Sequence, residues 1–293
     1  MRKAMTFIII ILMAVCFASC GPLKLAETSG DLTLPKDFWL RVDGSTATIP
    51  ISEALSERFG GTEAVTHNKT SNAYQNLLDG KADLIFVLEP SADALEMFEA
   101  ANIEVELFPI VKDAFVLFVN TQNPIHDLTV EELKYIYTGN ITNWKNFGGE
   151  DLTIIPFQRN QDAGSQTLFI LLLMQDEKPL TPPTDYIRNS MKDIIDSVAY
   201  EDRGRAGIGF NVFYYAKAMY ENENIRMLKV DGVEPSLETI SKGEYPLETY
   251  YYAVIRKDTP PDDPIRKLIS FILTDEGQEM MKETGYVPIG GIE

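Results

Sequence analysis

The chain has only two Cys and two His among its 293 residues, and that scarcity removes several kinds of chemistry at once. A structural zinc site needs four such ligands in close spacing, a disulfide framework needs paired Cys, and Ser-His or Cys-His catalysis needs an imidazole near its nucleophile. His67 and His126 stand far apart with no partner at ligand spacing, so both read as ordinary loop residues. Positive charge is short too. With 26 Lys and Arg against 44 Asp and Glu, the net charge is −18, a field that repels nucleic acid and anionic membrane surfaces. Any anion site in such a chain has to be local. There is no Walker loop, no Gly-x-Gly-x-x-Gly after a strand and no Gly-x-Ser-x-Gly elbow, so nucleotide binding and α/β-hydrolase chemistry lack their usual marks. Internal repeats and low-complexity stretches are likewise missing. What remains is 45% hydrophobic, 10% aromatic and 24% charged, which is the composition of a folded globular chain. The length suits two domains at roughly 150 residues each.

At the N-terminus, Arg2 and Lys3 precede an apolar stretch from Met5 to Ala18 that is short for a bilayer span, and small residues then lead into Cys20 and Gly21. These are the features of an export signal. The end Ala18-Ser19-Cys20 resembles a bacterial lipobox, which implies cleavage to leave Cys20 as a lipid-modified first residue. The expectation is a lipoprotein signal peptide over residues 1–19 and a polar, aperiodic tether over 20–35. Cys16 would leave with the signal, and loss of Arg2 and Lys3 would move the charge from −18 to −20.

From Asp37 onward, short β-rich runs alternate with helical patterns, which predicts an α/β architecture. Strands are expected at Trp39–Val42, Leu84–Leu88, Ala114–Asn120, Leu152–Phe157, Ala206–Phe210 and Tyr250–Arg256. Thr129 followed three residues later by Glu132 is a capping box, with Leu133, Ile136 and Tyr137 as the apolar face and Gly139 as the left-handed stop. Ser71 is placed to cap a helix running through Leu78, and Ile49–Phe59 reads as a helix with Pro50 in its first turn. Leu168–Met174 is nearly all apolar and predicts a helix buried on most sides. No Pro/Gly/Ser-rich linker splits the body, while the Tyr-rich run at 250–252 looks like a central strand pairing far away in sequence. Both point to a discontinuous domain, with two strands crossing between lobes as a hinge around a cleft.

Three segments place small hydroxyl residues between a strand and a helix start: Gly44-Ser45-Thr46-Ala47-Thr48, Thr70-Ser71-Asn72 and Gly164-Ser165-Gln166-Thr167. Taken singly, each is a helix cap. Together, their backbone N–H groups and hydroxyls could enclose an oxyanion without a basic surface. Arg159 lies six residues before Ser165, and could offer a bidentate guanidinium to the same anion.

With these residues in view, the chain resembles the phosphate-binding component of bacterial phosphate ABC transporters, within the type II periplasmic solute-binding proteins. The most specific part of the likeness is the segment from Leu128 to Trp144 followed by Gly148 and Gly149. It is joined by Asp43-Gly44-Ser45-Thr46 with Pro50, and by Arg159 with Gly164 to Thr167. Gly207 to Phe210, Tyr245 to Leu247, Glu276 to Gln278 and Gly285 to Pro288 complete the pattern. The resemblance implies a two-lobed fold with lobe 1 at 36–119 plus 248–293 and lobe 2 at 120–247. It implies ligand donors Ser45, Thr46 and Ser71 from the first lobe and Arg159, Ser165 and Thr167 from the second. The backbone of Gln166 and the side chain of Thr48 are further candidates.

The chain departs from the family pattern in two places. Gln166 stands where the family has Gly in Ser-Gly-Thr. The Asp that the family uses after a strand to accept the ligand's hydrogen is missing, and Glu89 is the candidate replacement. A carboxylate facing the ligand would favour hydrogenphosphate over sulfate, which carries no hydrogen to donate. The expected function is an extracytoplasmic, lipid-anchored, monomeric binding protein that encloses inorganic phosphate and delivers it to an ABC permease, with no cofactor, no metal, no nucleic-acid partner and no covalent chemistry. The alternatives are a binder of another oxyanion or small anion, or a sensor or scaffold lipoprotein of the same fold. Hydrolysis of phosphate esters through Ser165 or Thr167 lacks a His or Cys nearby in sequence to activate either.

Overall fold

A computed structural model describes residues 32–61, 65–200 and 203–291. The expected signal segment, Cys20 and residues 20–31 of the tether lie outside the described residues. Near the end of the tether, Leu32 and Leu34 pack against the hydrophobic core. Among the described residues, no helix is long and apolar enough to cross a membrane.

The centre of the molecule is one eight-stranded sheet built from β1 (Val42–Gly44), β2 (Leu84–Val87), β3 (Val105–Asn120), β4 (Ile155–Pro156), β5 (Gly207–Val212), β6 (Ile225–Met227), β7 (Glu248–Arg256) and β8 (Val287–Pro288). Its main path runs β1-β2-β7-β3-β5-β4, with β6 and β8 also pairing with β3. The mixture is parallel at both ends, β1 with β2 and β4 with β5, and antiparallel through β7 and β3.

β3 makes the molecule two-lobed and yet continuous. Its 16 residues pair first with β7, from Val105 to Ala114, and then with β5, from Phe115 to Val119. The change of partner falls between Ala114 and Phe115, inside the segment that the sequence assigns to the first lobe. The second crossing lies just ahead of β7, where the Leu247 carbonyl accepts a hydrogen bond from Phe115 N–H at 2.8 Å. The Tyr-rich run is therefore a central strand with distant partners, as its composition suggests.

Both faces of the first lobe's sheet are covered. Ile51 and Leu55 of α1 (Ile49–Arg58) belong to the main core, while Ala73, Tyr74 and Leu77 of α2 (Thr70–Leu78) and Phe98 of α3 (Ala92–Ala100) form a smaller cluster with Ile85, Val87 and Val254. A strand buried on both faces reads as a continuous apolar run, which is what Leu84-Ile85-Phe86-Val87 is. The second lobe packs α4 (Val130–Tyr137), α5 (Gly164–Leu168) and α6 (Met191–Tyr200) around β5 and the far half of β3. The Thr129 capping box forms as expected, and Gly139 follows the helix at φ 78°.

Several local expectations are corrected. Phe38–Arg41 is a 3₁₀ turn and the strand starts only at Val42; Phe38 and Trp39 pack edge to face in the core, which fixes a turn rather than a pleat. Of Leu152–Phe157, only Ile155–Pro156 joins the large sheet, since residues 152–154 pair instead with 142–144, Trp144 N–H donating to Leu152 O at 3.0 Å and Ile154 N–H to Thr142 O at 2.9 Å. Ser71 does not cap α2: the helix begins at Thr70, with Lys69 at its N-cap and no side-chain cap. Beyond α5 the chain widens into a π-helix over Phe169–Met174 that buries Phe169, Leu173 and Met174; the expected burial holds for most of Leu168–Met174 and fails only at Ile170 and Leu171, which are exposed.

Candidate functional site

Asp43 organises the first side of the cleft. It is buried, and its carboxylate accepts from Gly44 N–H at 2.6 Å, Asn68 N–H at 2.9 Å, and the side-chain amides of Asn68 and Asn76 at 2.9 and 2.7 Å. One side chain thus ties the loop after β1 to the entry of α2. A Cβ on Gly44 would come within 2.7 Å of Thr48 Oγ1 and 3.0 Å of the Phe86 carbonyl, which leaves no room for a side chain there. Lys69, just before α2, is held at φ 69°, a region a non-glycine residue enters at a cost of about 1–3 kcal/mol. The strain sits at the rim of a cavity.

That cavity, about 100 Å³, lies between the lobes. Ser45, Thr46, Lys69 and Thr70 line it from the first lobe, Arg159 and Ser165 from the second, and Tyr251 from β7. Its size is far below the roughly 300–1,000 Å³ of pockets that take drug-sized ligands, so it suits a small occupant. The lobes also touch directly around it. Ser71 Oγ donates to the Asp162 carbonyl at 2.8 Å, and a Cβ on Gly164 would fall 2.4 Å from Thr70 Oγ1, so the second lobe's loop lies flush against the start of α2.

Arg159 is the cavity's electrostatic centre. It is buried, and its Nε donates to the Arg188 carbonyl at 3.0 Å, Nη1 to Ser165 Oγ at 3.2 Å and Nη2 to the Asn189 carbonyl at 3.2 Å. All three acceptors are neutral. Loss of hydration on burial pulls the guanidinium down to about 10, opposed at longer range by Asp193 and Tyr215. A buried cation held only by neutral oxygens favours an anion beside it.

A family model described as the PBP superfamily domain matches residues 26–276 of the chain. The chain belongs to the PBP superfamily. Among relatives, the phosphate-binding protein PstS of Staphylococcus haemolyticus (strain JCSC1435) is 26% identical over 255 residues, covering 84% of this chain and 79% of that protein. PstS of Bacillus subtilis (strain 168) is 26% identical over 172 residues, 58% of this chain. That second match spans about half of the B. subtilis protein, 53%. Among solved structures, a Clostridium perfringens substrate-binding protein assigned to phosphate ABC transport, solved with bound phosphate, superposes with TM-score 0.68 at 25% identity over 85% of this chain and 98% of that one. An ABC-type phosphate transport receptor from Vibrio cholerae, at 23% identity, shares the fold with TM-score 0.65 over 84% and 98%.

In this PBP-superfamily chain, four of the nine expected ligand residues line the cavity: Ser45, Thr46, Arg159 and Ser165. The other five have different partners. Thr48 is fully buried and its hydroxyl donates to the Ser45 and Phe86 carbonyls, both at 2.9 Å, so it braces the loop from beneath. Ser71 spends its hydroxyl on the contact with Asp162. The Gln166 backbone N–H donates to Ala163 O at 2.8 Å, as does Thr167 N–H at 3.0 Å. The side chain of Gln166 accepts from Arg159 N–H at 2.9 Å and donates to Gln158 Oε1 at 3.1 Å, so Gln166 holds both residues of the short strand Gln158–Arg159. Glu89 turns toward β7, where Thr249 Oγ1 donates to both its carboxylate oxygens at 3.0 and 2.9 Å and Tyr252 OH to one at 3.3 Å. Burial raises its pKa against those hydrogen bonds.

The sequence reading did not single out Lys69, Thr70, Ser190, Met191, Tyr215 and Tyr251 as site residues, and they also line the cavity. Thr70 stood one residue from the chosen Ser71, and only the helix start at Thr70 separates the two. Tyr251 had a signal in the Tyr-rich run, but nothing local shows which of three adjacent tyrosines faces the cleft.

Proposed function

We propose that the chain is an extracytoplasmic solute-binding protein that encloses inorganic phosphate between its two lobes and hands it to an ABC permease. In this reading Ser45, Thr46, Arg159 and Ser165 contact the anion, with lobe 1 formed by residues 36–114 and 248–293 and lobe 2 by 115–247, the boundary moved from 119 to the change of partner in β3. The protein acts as a monomer held at a membrane by a lipid on Cys20, and does no covalent chemistry. Binding works as a population shift: an anion that bridges groups of both lobes stabilises the closed arrangement by its differential affinity for it. The observation that carries the reading is Arg159, a buried guanidinium with neutral partners, facing a small hydroxyl-lined cavity in a chain of net charge −18. The phosphate named in the Staphylococcus haemolyticus and Clostridium perfringens proteins supports the choice of anion.

A second reading, another oxyanion in the same cavity, is favoured by one observation: the Glu89 carboxylate is engaged by Thr249 and Tyr252. Titration calorimetry on purified protein freed of bound anion, with phosphate and then sulfate at about pH 8 where phosphate is mostly dianionic, separates the two. Tight phosphate binding with no sulfate heat is expected. Silence for phosphate overturns the phosphate assignment, and sulfate binding of equal strength transfers the site to the second reading.

A further inference from the structure

The cavity wall contains polar atoms that no protein group completes. Ser45 Oγ and Tyr251 OH are buried without a hydrogen-bond partner, although both residues line the cavity. Next to Tyr251, at the point where β3 passes between the lobes, stands Asp113, 2% exposed. Its Oδ1 accepts from the N–H groups of Ala114 at 2.7 Å and Tyr214 at 3.0 Å. Its Oδ2 makes no well-formed hydrogen bond. The Tyr251 hydroxyl is the side-chain group that reaches toward this carboxyl, and its hydrogen bonding opposes the rise that burial imposes. The two groups meet without fully completing one another, which is costly inside a protein unless a further group contributes, and Tyr251 also borders the cavity.

Burial raises the Asp113 carboxyl to about 7, against the lowering effect of its backbone hydrogen bonds. The titratable groups that face it are phenols: Tyr251 from β7, Tyr214 after β5, and Tyr286 before β8, whose ring stacks on that of Tyr214 at 3.7 Å. Glu89 acts on Tyr251 at longer range. Lys112, adjacent on β3, is drawn off by Glu248 at 3.8 Å.

Resting on the phosphate-binding reading above, we infer that Asp113 sets the hydrogen-bonding polarity of the Tyr251 hydroxyl toward the bound anion. The ionised carboxylate takes the phenol's hydrogen and leaves an oxygen lone pair for the ligand. The protonated acid donates to the phenol oxygen instead and frees the phenol's hydrogen for the ligand. No proton changes molecule in either arrangement. A lone pair facing the anion suits hydrogenphosphate, which has a hydrogen to give, and opposes sulfate, which has none; a hydrogen facing the anion suits both. Tyr251 with Asp113 thereby performs the discrimination for which the sequence offered Glu89.

Sulfate gives the clean readout, because it does not titrate in this range while phosphate does. Its affinity is measured by calorimetry from about pH 8.5 to about pH 5.5 for the unaltered protein, Tyr251→Phe and Asp113→Asn, with phosphate measured alongside and melting curves confirming that each variant is folded. In the unaltered protein sulfate affinity should rise about tenfold or more as pH falls, a factor well within what one hydrogen bond supplies. The amide introduced by Asp113→Asn is a permanent mimic of the protonated acid, so that variant should bind sulfate well throughout, with a flat profile. Tyr251→Phe should also be flat, and both should lose at least about tenfold of the phosphate preference at the high-pH end. An unaltered slope in Tyr251→Phe, or a flat profile in the unaltered protein, overturns the inference while leaving phosphate binding intact. If the unaltered protein binds neither anion, the phosphate reading falls and takes the inference with it. Should Asp113→Asn fail to fold, the unaltered profile against that of Tyr251→Phe still decides.

Discussion

Burying a guanidinium with no carboxylate among its hydrogen-bond partners is expensive, an effective penalty of several kcal/mol, and Arg159 bears it with two carbonyls and one hydroxyl as its partners. Such a group makes opposite contributions to folding and to binding. Arg159→Met keeps most of the side-chain volume and removes the charge, so the anion-free protein should melt at the same temperature or higher. Anion affinity should fall by about 100-fold or more, in line with the roughly 2–5 kcal/mol lost when one member of a buried charge pair is removed. Melting curves with and without phosphate check both halves: the ligand-induced rise should vanish in the variant while the ligand-free midpoint holds. A variant that still binds within about threefold of the original would remove Arg159 from the site. At this scale the sequence showed residue types but not directions. Ser45 and Thr48 are three apart in one loop, yet the 3₁₀ turn between them sends Thr48 down onto the Phe86 carbonyl. Gln166 was legible as a departure from Gly, but its role in holding Arg159 N–H depends on a contact seven residues back.

Among elements, α5 approaches the start of α2 closely across the cleft. Gly164 lies against Thr70 and Leu88, and its missing side chain is what lets the second lobe's loop reach the first lobe. Gly164→Ala would place a methyl group 2.4 Å from Thr70 Oγ1, which forces the elements apart or Thr70 out of position. Because that contact lies between lobes, the cost should appear in closure rather than in folding. Expected is a loss of about tenfold in phosphate affinity with little change in the ligand-free melting temperature, since alanine suits a helix better than glycine. Small-angle scattering with saturating phosphate should show the variant less compact than the original. Equal compactness and equal affinity would mean that the contact does not limit closure. Much of this level was readable beforehand: β2, β7 and the capped α4 follow from apolar runs and cap residues. The π-helix after α5 and the 3₁₀ turn before β1 were not, because Leu168–Met174 and Phe38–Trp39 carry apolar residues whose partners are set by tertiary packing.

For the molecule as a whole, the net charge of −18 and the local cation at Arg159 act over different distances. An approaching dianion first meets the global field, which repels it, and feels the buried guanidinium only near the cleft. Salt screens the long-range part far more than the buried contact, with a Debye length of about 30 Å at 0.01 M and about 8 Å at physiological strength. Association of phosphate should therefore speed up as ionic strength rises, the reverse of the slowing seen when a ligand is steered to a surface of opposite charge. Dissociation, governed by contacts inside the closed cavity, should change little. Stopped-flow measurement of both rates across that range, followed by the intrinsic fluorescence of Trp39 and Trp144, tests the separation. Association that slows with salt would mean that Lys69 and Arg159 at the cavity project a positive potential beyond its mouth, and that the entrance, not the net charge, governs capture.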